Sequence, residues 1–410
     1  MKILIVSFVD DNFGDNLIKI CFESLLKVVL KNLQLAETDY EINKMPLKRI
    51  DRALVAGSDM IFFAGGGLFG LSYLNFFDYL DEITQLAEDN GIPVVFSSIG
   101  INNMDAAEEN EEKLRRILKR KCIASVSVRE NIELFQQYAE GCGLEMEQVC
   151  DPAVWTKYVY HINPCADRKV IGINVVRGGL FLDNKKKWGM TDEFKYLYKL
   201  KCLLEEAGME YLFYTNGSVL DNNTLRYFAR EYDIPASRII YPHTTKQLVE
   251  TVSQFSAVIT FRMHSSIIAY SFGIPSIALV WNDKIPFFYQ NIAHPDRAFA
   301  FEQWDSELVF HKLRSVLQAE KDTGQEKGYQ EYLMSLYRFL YRVLSSNVVN
   351  GGKADAVLAE NSGSIDEDVF DLLFKVDKAE KQYLARFTDL KKKEKKFRSI
   401  KRTCPLWKKT

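Results

Sequence analysis

MKILIVSFVDDNFGDNLIKICFESLLKVVL, residues 1–30, holds in order a short, almost wholly apolar run (3–8), a polar loop with one glycine (10–16) and a longer amphipathic stretch (16–30). An apolar run of that length suits a strand of a parallel sheet, because both its faces are covered. The amphipathic stretch needs cover on one side only, as does a helix lying on such a sheet. The same unit recurs. Candidate strands at 59–64, 92–97, 123–128 and 148–150 alternate with helical patterns at 76–90, 109–119 and 131–138. Residues 152–168, with Pro152 and Pro164 and little periodicity, read as a linker. A second set then follows, with strands at 170–175, 211–214, 238–241, 257–261 and 276–280 and helices at 192–207, 223–232, 245–254 and 265–272. The expected fold is α/β: two doubly wound, Rossmann-like domains (1–160 and 168–300) facing a cleft, a C-terminal helical extension (301–390) and a basic tail (391–410).

At 410 residues the chain exceeds what one hydrophobic core supports, in keeping with two domains. Its 47% hydrophobic and 26% charged residues describe a globular protein rather than a disordered one. A net charge of −2 gives no overall pull toward nucleic acid. The seven cysteines are scattered, without CxxC or zinc-ligand spacing, which fits a reducing compartment. The carboxylates of Asp10, Asp11, Asp15 and Asp283 have no spacing that dictates a metal cage. No cofactor or metal is expected. The run at 3–8 is too brief for a signal-peptide core, and no stretch is apolar enough to span a bilayer, so a cytoplasmic protein is expected.

In open parallel sheets ligands bind outside the carboxyl ends of strands, where loops enter helices. Polar and glycine-rich segments sit at several such places: Asn12-Phe13-Gly14-Asp15-Asn16, then Gly65-Gly66-Gly67, then Ser97-Ser98-Ile99-Gly100. None is a phosphate-binding Gly-Lys-Ser/Thr loop or a GxGxxG dinucleotide loop. The triple glycine reads equally as a tight turn or as a place where backbone approaches a ligand. The strongest local signal is Ile259-Thr260-Phe261-Arg262-Met263-His264-Ser265-Ser266, where a buried strand delivers an arginine and a histidine at the start of a helix. The arginine suits a phosphate or carboxylate, and the imidazole can exchange a proton near neutral pH. The alternative is a histidine that merely fills a strand end. Arg177, followed by Gly178-Gly179, and Arg129, followed by Glu130, also come after strands; each reads either as a cleft cation or as a solvated loop residue.

Taken together and in order, these segments resemble the polysaccharide pyruvyl transferase family. The resemblance rests on Asn12 to Asn16, Phe63-Ala64-Gly65-Gly66-Gly67-Leu68-Phe69, Ser98-Ile99-Gly100, Ser127-Val128-Arg129-Glu130, Cys150-Asp151-Pro152-Ala153, and Arg262-Met263-His264-Ser265 leading through Gly273-Ile274-Pro275 to Asn282-Asp283-Lys284. It covers roughly residues 1–290. It implies a fold like that of two-domain glycosyltransferases of the GT-B type. It also implies transfer of pyruvate from phosphoenolpyruvate to two hydroxyls of one sugar as a cyclic ketal, in a surface polysaccharide such as a capsule or exopolysaccharide or in its lipid-linked precursor. By the same resemblance Arg262, His264 and Arg177 surround the donor; for the proton that the methylene needs His264 is the candidate acid, and Met263, Ser265 and Lys284 are further candidates on the donor side. Asn12, Gly14, Asp15, Asn16, Gly65, Gly66, Gly67 and Arg129 then line the acceptor side or the cleft. Two other functions share the expected architecture: a glycosyltransferase using a nucleotide sugar, and a non-catalytic carbohydrate-binding subunit.

Residues 391–410 carry ten lysines and arginines against one acid, interleaved with Phe397, Ile400, Leu406 and Trp407. That composition fits either a peripheral contact with an anionic membrane surface or a solvated tail.

Overall fold

Strands buried on both faces and helices buried on one build two sheets. In a computed structural model, residues 1–8, 12–70, 76–101, 108–162, 168–184, 186–318 and 324–348 are described. The first lobe runs β1 (Lys2–Ser7), α1 (Phe13–Asn32), β2 (Glu41–Pro46), α2 (Arg52–Ala56), β3 (Met60–Ala64), α3 (Phe76–Asp89), β4 (Val94–Ile99), α4 (Glu108–Leu118), β5 (Ile123–Val128), α5 (Ile132–Tyr138) and β6 (Met146–Gln148). Its strands are all parallel, in the order β2-β1-β3-β4-β5-β6. Every residue of β3 and β4 is buried, as strands covered on both faces require.

A 3-10 turn (Pro152–Trp155) and α6 (Thr156–Tyr160) occupy part of the stretch expected to be a linker. The turn is fixed by Asp151, whose carboxylate accepts the N–H of Ala153 at 2.8 Å. The second lobe runs β7 (Val170–Asn174), α7 (Leu180–Asp183), α8 (Met190–Glu206), β8 (Glu210–Tyr214), α9 (Val219–Glu231), β9 (Ile239–Ile240), α10 (Thr245–Ser253), β10 (Phe255–Thr260), α11 (Met263–Ser271), β11 (Ser276–Leu279), α12 (Lys284–Asn291) and β12 (Ala298–Phe299). Its strands are again all parallel, in the order β12-β11-β10-β7-β8-β9.

Two helices follow, α13 (Ser306–Gln318) and α14 (Gly324–Val348). The first packs into the second lobe's core through Val309, Phe310 and Leu313. The second touches both lobes. Its Tyr329 packs against Tyr270 of α11, while the Oγ of Ser335 accepts the N–H of Cys150 at 2.8 Å and Tyr337 accepts a bond from Asn32 of α1 at 2.8 Å. The expected helical extension to residue 390 and the basic tail lie outside the described residues beyond 348. Among the described residues no helix is long and apolar enough to cross a membrane.

Leu340, on the buried face of α14, is fully enclosed. Leu340→Ala is expected to cost about 2–5 kcal/mol of stability, read as a lower midpoint of urea unfolding.

Candidate active site

Each sheet has one point where the chain reverses the direction in which it adds strands, and a crevice opens at the carboxyl ends there. In the first sheet this point lies between β1 and β3, so the loops involved are Asn12–Asn16 and Gly65–Gly67. In the second it lies between β10 and β7, so the loops are those bearing Arg262–His264 and Arg177–Gly179. The two crevices face each other.

The start of α1 makes the contact. Asn12 caps the helix, its Oδ1 accepting the N–H of Gly14 at 3.0 Å. Gly14 then lies directly on the imidazole of His264: a β-carbon at position 14 would stand 2.3 Å from Nδ1. On either side, the N–H of Phe13 bonds the carbonyl of Asn216 at 3.2 Å, and the amide of Asn16 donates to Thr245 Oγ1 at 2.9 Å. A further tie across the lobes is the amide of Asn291 on α12, which donates to the carbonyl of Arg129 at 3.1 Å.

Around His264 the closure gathers charge. Arg129 is 4% exposed and is held by Glu130 at 2.7 Å and by Asp151 at 2.5 Å. Burial works against its charge, but the two carboxylates outweigh burial and keep it protonated. Lys284, at the start of α12, makes no hydrogen bond or close ion pair among the described residues; burial and the field of Arg129 lower its pKa, while Glu130, Asp15 and Asp151 oppose that. His264 is 8% exposed, and its Nε2 is 3.9 Å from Asp151 without a hydrogen bond. Burial, first, and then the nearby Arg129, Lys284 and Arg262 push its pKa down to about 4 against the pull of Asp151, so the imidazole of the free protein is neutral at pH 7. Glu130 Oε1 and Arg262 Nε, like His264 Nε2, are buried without hydrogen-bond partners.

The sequence-derived residues thus divide. Gly14, Arg129, His264 and Lys284 come together, with Asp15 adding its charge to the field at Lys284. Arg262 is nearby, but its guanidinium pairs with Asp221 at 2.7 Å. Arg177 turns its side chain to Asp183 at 2.5 Å and stays 30% exposed, while its backbone N–H shares the Asp221 carboxylate with Arg262. Ser265 is spent on Asn216 Oδ1 at 2.7 Å, and Met263 opens α11 in a half-buried position. The triple glycine serves packing: Gly65 has φ +62° and sits where a β-carbon would meet Ile18 of α1 at 2.7 Å, while the carbonyl of Gly66 takes the N–H of Gly100. Asn12 and Asn16 act as a cap and a tie between lobes.

Sequence reasoning gave no role to Asp151, Glu130, Asp221 or Asn216. Asp151 and Glu130 had one signal, their place in the segments Cys150-Asp151-Pro152-Ala153 and Ser127-Val128-Arg129-Glu130; Asp221 and Asn216 sit in ordinary polar stretches. Among the described residues no cluster of His, Cys, Asp and Glu is arranged to hold a metal ion. A surface hollow beside α2 and α3, lined by Arg52, Glu82 and Arg120, shares no residue with these loops.

The family described as polysaccharide pyruvyl transferase matches residues 8–283. No curated protein matches the chain significantly. Among solved structures, the UDP-GlcNAc 2-epimerase of Methanocaldococcus jannaschii superposes with a TM-score of 0.57 at 12% identity, over 84% of this chain and all of that one. A putative UDP-N-acetylglucosamine 2-epimerase of Listeria monocytogenes gives 0.55 at 11% identity, over 84% of this chain and 96% of that one. That of Neisseria meningitidis, bound to UDP-GlcNAc, gives 0.53 at 11% identity, over 86% of this chain and all of that one. At such identities the likeness is one of fold: two parallel-sheet α/β lobes of the GT-B type.

Gly14→Ala must part α1 from the imidazole, so it is expected to cost about 1–3 kcal/mol, seen as a lower unfolding midpoint. The histidine also makes stability depend on pH. Above the ordinary imidazole pKa near 6.5 it is neutral folded and unfolded; as pH falls toward 4 only the unfolded chain takes the proton, so stability falls, by on the order of 3 kcal/mol in all. In urea unfolding at pH 7 and pH 4.5, His264→Gln should lose less stability between the two than the parent protein; equal losses would contradict the neutral assignment.

Proposed function

The chain belongs to the polysaccharide pyruvyl transferase family, and on that premise we propose that it moves the pyruvyl skeleton of phosphoenolpyruvate onto two hydroxyls of one sugar, forming a cyclic ketal. The observation that supports this most is the meeting of Arg129, Lys284 and His264 at the facing strand ends of the two lobes. Phosphoenolpyruvate presents a carboxylate and a phosphate on one carbon. It therefore asks for fixed cations on two sides and a proton for its methylene.

Arg129 and Lys284 take the donor's anionic groups, with Arg262 at the edge of the same field. The donor's negative charge raises the proton affinity of His264, and the imidazole takes up a proton on binding. Delivered to the methylene, that proton makes a methyl group and leaves the central carbon electrophilic. One sugar hydroxyl adds there, phosphate departs, and the second hydroxyl closes the ring. Of the two hydroxyl protons, one replaces the proton spent on the methylene and one leaves with phosphate. The sugar belongs to a surface polysaccharide or a lipid-linked precursor at the inner face of the membrane, a reading supported by the family description and the basic segment 391–410.

Calorimetry with phosphoenolpyruvate near neutral pH, in two buffers of different ionisation enthalpy, should show binding with proton uptake. Phosphate release should then require a sugar acceptor. His264→Gln should abolish the uptake and lower turnover by about 10²–10⁴-fold. Binding of a nucleotide sugar with no response to phosphoenolpyruvate would point to glycosyl transfer instead.

A further inference from the structure

We infer that Asp221 is a positioning residue for Arg262, fixing where that guanidinium points into the cleft. The inference rests on the donor-site reading of Arg262 given above.

Asp221 lies in the first turn of α9, has no exposed surface, and offers both carboxylate oxygens to Nη2 of Arg262, at 2.7 and 2.8 Å. Its Oδ1 also accepts the backbone N–H of Arg177 at 2.8 Å. One turn later Thr224 Oγ1 accepts the N–H of Gly178, again at 2.8 Å. The start of α9 therefore fastens both loops of the second sheet's crevice, one by its backbone and the other by its cationic tip. A carboxylate in the first turn of a helix is itself stabilised by the free N–H groups there.

The rest of Arg262 is built to reach outward from that anchor. Its backbone N–H is held by Thr260 Oγ1 at 2.9 Å, its side chain is 17% exposed, and Nε has no partner. Asp221 thus engages one nitrogen of the fork and leaves Nε uncommitted. A second buried acid, Glu193 of α8, does not share the task. Neither of its carboxylate oxygens bonds to the pair, and burial, reinforced by Asp221, pushes its pKa up. Asp221 is then the counter-charge that keeps a largely covered guanidinium in place while no donor is bound, since an unpaired charge there would be unfavourable.

Acting through Arg262 and not on the donor, Asp221 has a distinctive signature. Asp221→Asn keeps the volume and the acceptor for Arg177 but releases the guanidinium. Turnover should fall by about 10²-fold, the usual consequence of an ångström-scale misplacement, while phosphoenolpyruvate affinity by calorimetry changes less than about threefold because the arginine charge remains. In an Arg262→Gln background the same change should alter turnover by less than about twofold. Wild-type turnover in Asp221→Asn, or a full further loss in the double variant, overturns the inference. Should Asp221→Asn alone fail to fold, Arg262→Gln against the double variant, in which both charges are gone, still decides it. Unchanged donor affinity and turnover in Arg262→Gln would remove Arg262 from the donor site, which is a failure of the underlying reading, distinct from a failure at Asp221.

Discussion

The absence of a side chain at position 14 is what allows the two halves of this protein to meet. With no β-carbon there, the first turn of α1 lies flat on the His264 ring, and the carboxyl-end crevices of both sheets close on each other. The flanking bonds, from Phe13 to Asn216 and from Asn16 to Thr245, follow from that approach. So does the burial of the imidazole, and burial is the largest influence on its proton affinity.

Closure also explains how so much charge is tolerated where so little water reaches. Arg129 is clamped between Glu130 and Asp151, and Asp151 in turn caps the turn that leads out of the first lobe. Structure and charge are thus carried by one carboxylate. Around it the charges are unevenly met: among the described residues Lys284 makes no hydrogen bond or close ion pair, and His264 gives up its proton through burial first and then the field of Arg129, Lys284 and Arg262, against Asp151. A lysine without a hydrogen-bonded partner raises the free energy of the empty site relative to the site that holds an anion. That asymmetry is the basis for reading the cluster as an anion-binding centre rather than as support for the fold.

The sheet cores were legible because a strand covered on both faces must be apolar throughout, as in Ile3 to Val6 or Ile61 to Ala64. The edge strand β2 was invisible for the opposite reason: of Glu-Ile-Asn-Lys-Met-Pro only the methionine is buried, and the strand is recruited by pairing with β1. α12 was missed because Pro286 and adjacent aromatics obscure its period. Arg262 and His264 could be singled out since a strand-to-helix junction is a local pattern. What each would face could not, because their partners lie far along the chain: Asp221 is 41 residues from Arg262, and Gly14 and Asp151 belong to the other lobe. The partner of Arg177 was equally hidden from the sequence pattern: its guanidinium pairs with Asp183, six positions on. The triple glycine occupied the right place in the topology yet answered to the methyl group of Ile18.

Helix α14 carries a mechanical consequence. The chain leaves the first lobe after the turn at Pro152–Trp155 and comes back along α14, whose early residues lie on α11 and whose later ones lie on α1 and beside β6. The polypeptide therefore passes between the lobes twice. Two points of passage define a line, and rotation about that line is the displacement that stretches neither of them. A swing of one lobe against the other about that line would part Gly14 from His264 while displacing the helix beside it least.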